Sequence, residues 1–322
     1  MGLAFTIGMV IVFAFLAALA TFSALFYFRP LAVTAWLRRQ GLRRAGLQRK
    51  QVSTSIGPQT VWLGGTGPWL VMLHGAGDQA GTWHKVAAEL KSRFQLLMPD
   101  FAGHGESAPR QGVLSLGTLL AALEEVLDAI PGRNTPVLLA GNSLGAWMAM
   151  LYARKHPHRV KRVILIDGGP IKGVTEISLM PKDREEARRI LDRVLDDSSP
   201  RPPNFFLDDL VRVSSTGPIS RLMAAGNEDI LKYVFVDELS SFSTPVDIVW
   251  GASDRLVPLE YAKQLQSLIP HGSLAVIERC GHAPQLERPR ELTQVLQKIL
   301  AEESLPPSGV PPSRSQHTGA NS

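Results

Sequence analysis

The sequence predicts an α/β fold, a doubly wound, mostly parallel sheet with a helical cap inserted before its last two strands and one transmembrane helix in front. Three observations carry this reading. From Trp69 to Ile166, short, uniformly apolar β-prone runs alternate with amphipathic helical patterns. Strands apolar on both sides must be covered on both sides, and helices threaded between parallel strands do that. The alternation stops between about residues 173 and 243 and then resumes, and the chain opens on 28 residues without a charge.

The elements follow in order. "WLVMLHG" (69–75) is a strand running into a glycine loop, "VAAELKSRF" a helix and "QLLMPD" the next strand. "LGTLLAALEEVLDAI" places apolar residues three and four apart with Gly132 beyond its end, the pattern of an amphipathic helix. "TPVLLAGN" is a continuous apolar strand, "LGAWMAMLYARKH" a helix closed before Pro157, and "VKRVILIDGG" another strand. The 70-odd residues that follow are too long for a plain loop and include the charged amphipathic "PKDREEARRILDRVL", so they are expected to form the cap. "TPVDIVWG", "GSLAVIE" and the helix "ELTQVLQKILAEE" complete the sheet.

The two ends differ from this body. "LAFTIGMVIVFAFLAALATFSALFYF" is long enough, at about 1.5 Å per residue, to cross a bilayer core of about 30 Å. It lacks a positive n-region and exceeds the apolar run of a cleaved signal peptide, so residues 1–28 read as an uncleaved anchor. Residues 29–60 read as a basic juxtamembrane linker, with Arg29, Arg38, Arg39, Arg43, Arg44, Arg49 and Lys50 preceding the first acid, Asp78. These seven cations exceed the net charge of +5, leaving −2 for the rest, so no nucleic-acid-binding field covers the fold. By the positive-inside rule they put the following domain on the cytoplasmic side, where Trp36 and the arginines suit a membrane interface. Residues 304–322, rich in proline, serine and glycine, read as a disordered tail. The single cysteine, Cys280, allows no intramolecular disulfide.

Chemistry enters at "VLLAGNSLGAWMA" (137–149), where Ser143 lies between Gly141 and Gly145 at the junction of a core strand and a helix. By chance alone such a spacing arises in roughly one chain of this composition in six, so the context decides. A sharp strand-to-helix turn needs small residues beside the serine, raises its hydroxyl above the sheet and turns the Leu144 amide toward any oxyanion formed there. This arrangement resembles the nucleophile elbow of the α/β-hydrolase fold.

The resemblance spans roughly Trp62 to Glu303, giving a hydrolase domain over 61–303, and implies a Ser–acid–His triad in that chain order. Of His156, His158, His271, His282 and His317, only His282, in "IERCGHAPQLERP", follows the last strand on a short glycine loop. The site of an open α/β sheet lies at that end of its strands. Asp254, in "VWGASDRLVP", matches the family's position for the acid, with Asp167 at the end of "VILID" as its competitor. The resemblance implies that the residue after "HG", Ala76, is the second oxyanion donor beside Leu144. It also makes His74, and Asp100 and His104 of "PDFAGHGES", scaffold rather than chemistry. No cofactor and no metal are called for.

A serine at the elbow argues for acyl transfer to water rather than the epoxide or dehalogenase chemistry of members with an aspartate there. The motifs are similar both to membrane-anchored monoacylglycerol lipases and to soluble carbon–carbon hydrolases of ring-cleavage products. The anchor favours the first, with a lipid or other carboxylic ester as substrate. A catalytically silent scaffold that binds lipid at the membrane is the alternative from another class.

Overall fold

A computed structural model of the chain describes residues 2–170, 178–301 and 303. Eight strands form one sheet: β1 (Gln48–Thr54), β2 (Gly57–Gly65), β3 (Trp69–Leu73), β4 (Gln95–Pro99), β5 (Val137–Asn142), β6 (Val160–Ile166), β7 (Val246–Gly251) and β8 (Ser273–Ile277). Their order is β1-β2-β4-β3-β5-β6-β7-β8. The β1–β2 and β2–β4 pairs are antiparallel and the rest parallel. Register brings the C-terminal ends of the central strands level, pairing Leu73 with Gly141, Asn142 with Ile166, and Ile166 with Val249. Loops leaving these ends therefore converge above one edge of the sheet.

Alternation along the strands feeds two cores. Val71, Leu73, Leu139, Val163, Leu165, Ile248 and Trp250 point to one face. Leu70, Met72, Leu138, Ala140, Ile164, Ile166 and Val249 point to the other. The helices are α1 (Gly2–Phe28), α2 (Pro30–Arg44), α3 (His84–Leu90), α4 (Leu116–Ala129), α5 (Leu144–Lys155), α6 (Arg184–Val194), α7 (Asn204–Ser214), α8 (Pro218–Met223), α9 (Asn227–Leu231), α10 (Leu259–Leu268), α11 (Pro284–Glu287) and α12 (Pro289–Ile299). Helices α4, α5 and α10 cover the first face, and α2, α3 and α12 the second. Helices α6 to α9 and a 3₁₀ turn at Val236–Ser241 fill the expected cap; its expected start, at residue 173, and the tail 304–322 lie outside the described residues.

Residues 29–60 are not a linker. Helix α2 packs its Leu42 into the second core with Leu47 just beyond it, and Gly41 approaches the His84 ring so closely that a Cβ there would lie 2.6 Å from it. Arg43 lies over the buried Trp62 ring at 5.8 Å. Arg38 pairs with Asp78, and Arg39 and Arg49 pair with Glu106. The basic flank is thus partly spent on the domain itself. Strand β1 then forms the sheet edge with an exposed, polar face, which is why no apolar alternation announces it.

Helix α1 projects from this body with its apolar side chains exposed, and 25 of its residues (Ala4–Phe28) suffice by length and composition to cross a membrane. Its last turn meets the cap: Tyr27 stacks on Phe205 of α7 at 5.3 Å and Phe26 meets the same ring edge-on at 5.7 Å. The Leu31 amide then donates to Asp209 of α7 at 3.0 Å. Removing residues 2–28 is expected to leave a folded, soluble domain, whereas removing residues 2–47 strips Leu42 and Leu47 from the core. Losing one such leucine costs about 2–5 kcal/mol. Thermal melts of the two truncations check this: the shorter cut melts cooperatively, and the longer one aggregates or melts far lower.

Candidate active site

Ser143 follows β5 with φ +55° and ψ −117°, a left-handed conformation rare for a side chain of any size. Its amide donates to the Ile166 carbonyl at 2.9 Å, and α5 begins at once with Leu144. Backbone presses on backbone here. A Cβ at Gly141 would lie 2.2 Å from the Gly145 carbonyl, one at Gly145 2.3 Å from the Leu73 carbonyl oxygen, and one at Gly168 2.4 Å from the Ser143 oxygen. All three positions therefore require glycine. Ser143 remains half-buried, at the start of a helix whose free amides favour negative charge.

Asp254 and His282 meet directly. The ring Nδ1 lies 2.7 Å from Asp254 Oδ2, with the aspartate side chain fully buried and the histidine side chain 9% exposed. Asp254 Oδ1 also accepts the amides of Leu256 and Val257 at 2.8 and 2.9 Å, so three donors fix this carboxylate. A proton on Nδ1 is held toward Asp254, which leaves Nε2 with its lone pair. Among the described residues, no direct hydrogen bond joins Ser143 Oγ to that ring; such contacts commonly tighten only when substrate binds. Asp167, the competing acid, does not bond to the ring. Its Oδ1 accepts the Gly251 amide at 2.8 Å, and its carboxyl belongs to the same cluster. The spacing of Asp167, Asp254 and His282 would admit a cation, but the 2.7 Å contact is a hydrogen bond that an inserted ion would break.

Several residues that position this site have no role that the sequence assigns, although Asn142, Gln285 and Glu287 fall inside the serine and histidine motifs. Asn142 Nδ2 donates to the carbonyls of His282 at 2.9 Å and Ile166 at 3.2 Å, while its Oδ1 accepts from Gln285 Nε2 at 3.0 Å. The residue before the serine thus holds the histidine loop. Glu287 accepts the amides of Gly281 and Asp196 and the Ser199 hydroxyl. The His282 amide donates to Val194 at the end of α6, at 2.7 Å. Hydrogen bonds from Ser198 and Ser253 draw Asp196 down to a pKa of about 2, so the clamp between cap and histidine loop is anionic. Their burial and spatial convergence, not the motifs around them, reveal these roles.

On the opposite side, Ala76 lies in the loop after β3, where a Cβ on Gly75 would approach the Ser143 side chain at 3.4 Å. His74 bonds the Gly75 carbonyl through Nδ1 at 2.8 Å and accepts the Phe101 amide on Nε2 at 3.0 Å, tying this loop to the next. Asp100 accepts the amides of Ala80 and Glu106, and burial raises its pKa. Burial likewise drives His104 down to about 3, so it stays neutral. These three side chains act as braces. Helix α8 of the cap overhangs the loop, its Ile219 within 3.0 Å of a Cβ built on Gly77.

Asn142→Ala leaves the Gln285 amide and the His282 carbonyl buried without their partner, at a cost of about 1–3 kcal/mol. The expected outcome is a lower melting temperature together with a fall in kcat at nearly constant KM, read by calorimetry and steady-state kinetics.

Comparison with known proteins identifies the family of the fold. The family model of the alpha/beta hydrolase family matches residues 70–295. A pimeloyl-[acyl-carrier protein] methyl ester esterase of Nitrosomonas europaea is 28% identical over 244 residues, covering 70% of this chain and 93% of the relative. A 2-hydroxy-6-oxo-2,4-heptadienoate hydrolase of Pseudomonas putida is 27% identical over 258 residues, covering 74% and 91%. Among solved structures, a membrane phospholipase A described as a bacterial virulence factor superposes with a TM-score of 0.72 at 26% identity, covering 91% of this chain and 98% of its own. With the matched model spanning most of the sheet and every loop described above, the chain belongs to the alpha/beta hydrolase family.

Proposed function

We propose that this hydrolase is a membrane-anchored serine esterase that cleaves acyl esters of membrane lipids, with monoacylglycerols and phospholipids as the substrate class. The observation that carries the reading is the 2.7 Å Asp254–His282 hydrogen bond beside a serine held at φ +55°. In this mechanism His282 Nε2 takes the Ser143 proton as Oγ attacks the acyl carbon, and the oxyanion receives the amides of Ala76 and Leu144. Asp254 keeps Nδ1–H oriented and offsets the imidazolium charge. The alkoxide leaves with the proton from His282, and water, activated by the same ring, releases the acid from the acyl-enzyme.

Lipid substrates are favoured by α1. Its exposed apolar surface ends in aromatic contacts with α7 of the cap, so the element that covers the site rests on the element that enters the bilayer. The membrane phospholipase A covers more of the chain than residues 61–303 alone, which adds support. A second reading, hydrolysis of a carbon–carbon bond in a dienoate ring-cleavage product, draws on the similarity to the Pseudomonas putida hydrolase.

Hydrolysis of monoacylglycerol, phospholipid, a p-nitrophenyl ester and a dienone ring-cleavage product by the full chain separates the readings. Preference for vesicle-borne acyl lipid is expected, and preference for the dienone would reverse the assignment. Ser143→Ala is expected to lower kcat by on the order of 10⁴-fold or more while leaving the melting temperature in place. Removing residues 2–28 is expected to reduce turnover of vesicle-borne lipid but to spare a short soluble ester. The basic flank argues for a cytoplasmic domain, so protease added outside intact cells is expected to spare it; external cleavage would put the domain on the other side.

A further inference from the structure

We propose that Asp167 is a neutral carboxylic acid that donates its proton to the Asp254 carboxylate, making it a positioning residue behind the acid of the triad. The inference rests on the triad reading above. Asp167 and Asp254 compete in the sequence for one role, and the folded chain puts them in one buried cluster with different tasks.

The two carboxyls are buried side by side. Asp167 is fully buried at the end of β6. Its Oδ1 accepts the Gly251 amide at 2.8 Å, whereas its Oδ2 meets no N–H or O–H donor among the described residues. One oxygen of Asp167, one of Asp254 and a ring nitrogen of His282 all lie within 4.8 Å of one another. Two carboxylates are both acceptors, so a pair buried this close is matched only if one of them carries a proton. Like charges at such range do not both ionise in a buried site.

The donor count says which one carries it. Asp254 already accepts from Leu256, Val257 and His282, three donors that favour its charged form. Asp167 accepts from one. The other titratable groups facing Asp167 are Glu287 and Cys280, neither of them a cation. Burial, followed by the charge of Asp254, pushes the Asp167 carboxyl well above its ordinary range.

The backbone holds the donor rigidly. Asp167 sits at φ +47°, its amide bonded to Val249 at 3.1 Å, between the Ser143 amide on Ile166 and the contact of Gly168 with Ser143. A proton donated to Asp254 lowers the basicity of that carboxylate. The negative charge then stays on Asp254, and the imidazolium proton stays on His282. The Asp167 proton itself does not move during turnover.

Two variants and a melt test this. Asp167→Asn replaces the O–H donor with an N–H donor, keeps the acceptor for Gly251 and tolerates the left-handed backbone. Its kcat is expected to stay within about threefold of the parent, with the acid limb of the pH–rate profile unmoved, because no charge is removed. Asp167→Gly suits φ +47° but has no donor, and about a tenfold fall in kcat at constant KM is expected. The melt is read without turnover. Asp167 is protonated when folded and ionises on unfolding above its ordinary value of 3.8, so the parent loses stability as pH rises past that value and the Asn variant does not. The gap in melting temperature between Asn variant and parent is therefore expected to widen steadily from about pH 4 upward.

A gap that does not grow with pH, or an Asn variant that loses as much kcat as the Gly variant or shifts the acid limb, would show an ionised Asp167 and overturn the proposal. If the Gly variant does not fold, the Asn kinetics and the melt still decide. A parent enzyme that turns over no ester would defeat the triad reading alone, because the pH dependence of the melt would still report the protonation of Asp167.

Discussion

A serine forced into left-handed backbone between a strand and a helix is the constraint on which the rest of this site depends. Ser143 can stand at φ +55° only because glycines at 141, 145 and 168 let three backbones close around it to distances no Cβ permits. That strain is held by the surrounding parallel sheet, whose strands end level, so the loops carrying Ala76, Asp167, Asp254 and His282 leave from one side. The sheet, in turn, is rigid because each central strand feeds two cores at once. Sheet topology thus becomes a chemical arrangement: a hydroxyl at a helix N-terminus, an imidazole with one nitrogen tied down, and a carboxylate fixed by three donors.

Around that arrangement lies a polar lattice that joins elements far apart in the chain. Asn142 ties the elbow to the histidine loop, Glu287 ties that loop to the cap, and Asp196 ties the cap to the loop bearing Asp254 through the Ser253 hydroxyl at 2.5 Å. Each of these groups is buried or nearly so, and each has its partners, which is the condition under which buried polar groups specify geometry rather than destabilise it. The cap is therefore coupled to the loop of His282 on one side and, through Phe205, to the end of the apolar helix on the other. Apolar helix, cap and site form one mechanical series.

Much of this was legible in the sequence, for identifiable reasons. The central strands are apolar on both faces and the helices between them are amphipathic, so both periodicities stand out, and the glycine spacing about Ser143 records a packing need directly. Helix α2 and strand β1 were not legible. The cations of α2 read as a membrane flank, yet the same helix buries Leu42, and Arg38 and Arg39 pair with acids far along the chain that no local pattern reveals. Strand β1, an edge strand of mostly exposed polar residues, has no apolar alternation to show. In the site, resemblance favours Asp254 over Asp167, but spacing alone does not separate them, because both follow core strands that end side by side. Only the fold shows which carboxylate faces the ring. Asn142, Gln285 and Asp196 stayed silent because their roles come from pairings across long stretches of sequence.

The claim on which everything else turns is that Ser143 is a nucleophile activated by His282 and Asp254. Mass-spectrometric mapping of the full chain after reaction with a fluorophosphonate tests it most directly. A single covalent adduct on the peptide carrying Ser143, lost on heat denaturation before labelling, is the expected result. An adduct on another serine, or a folded protein that takes up no label, would contradict it.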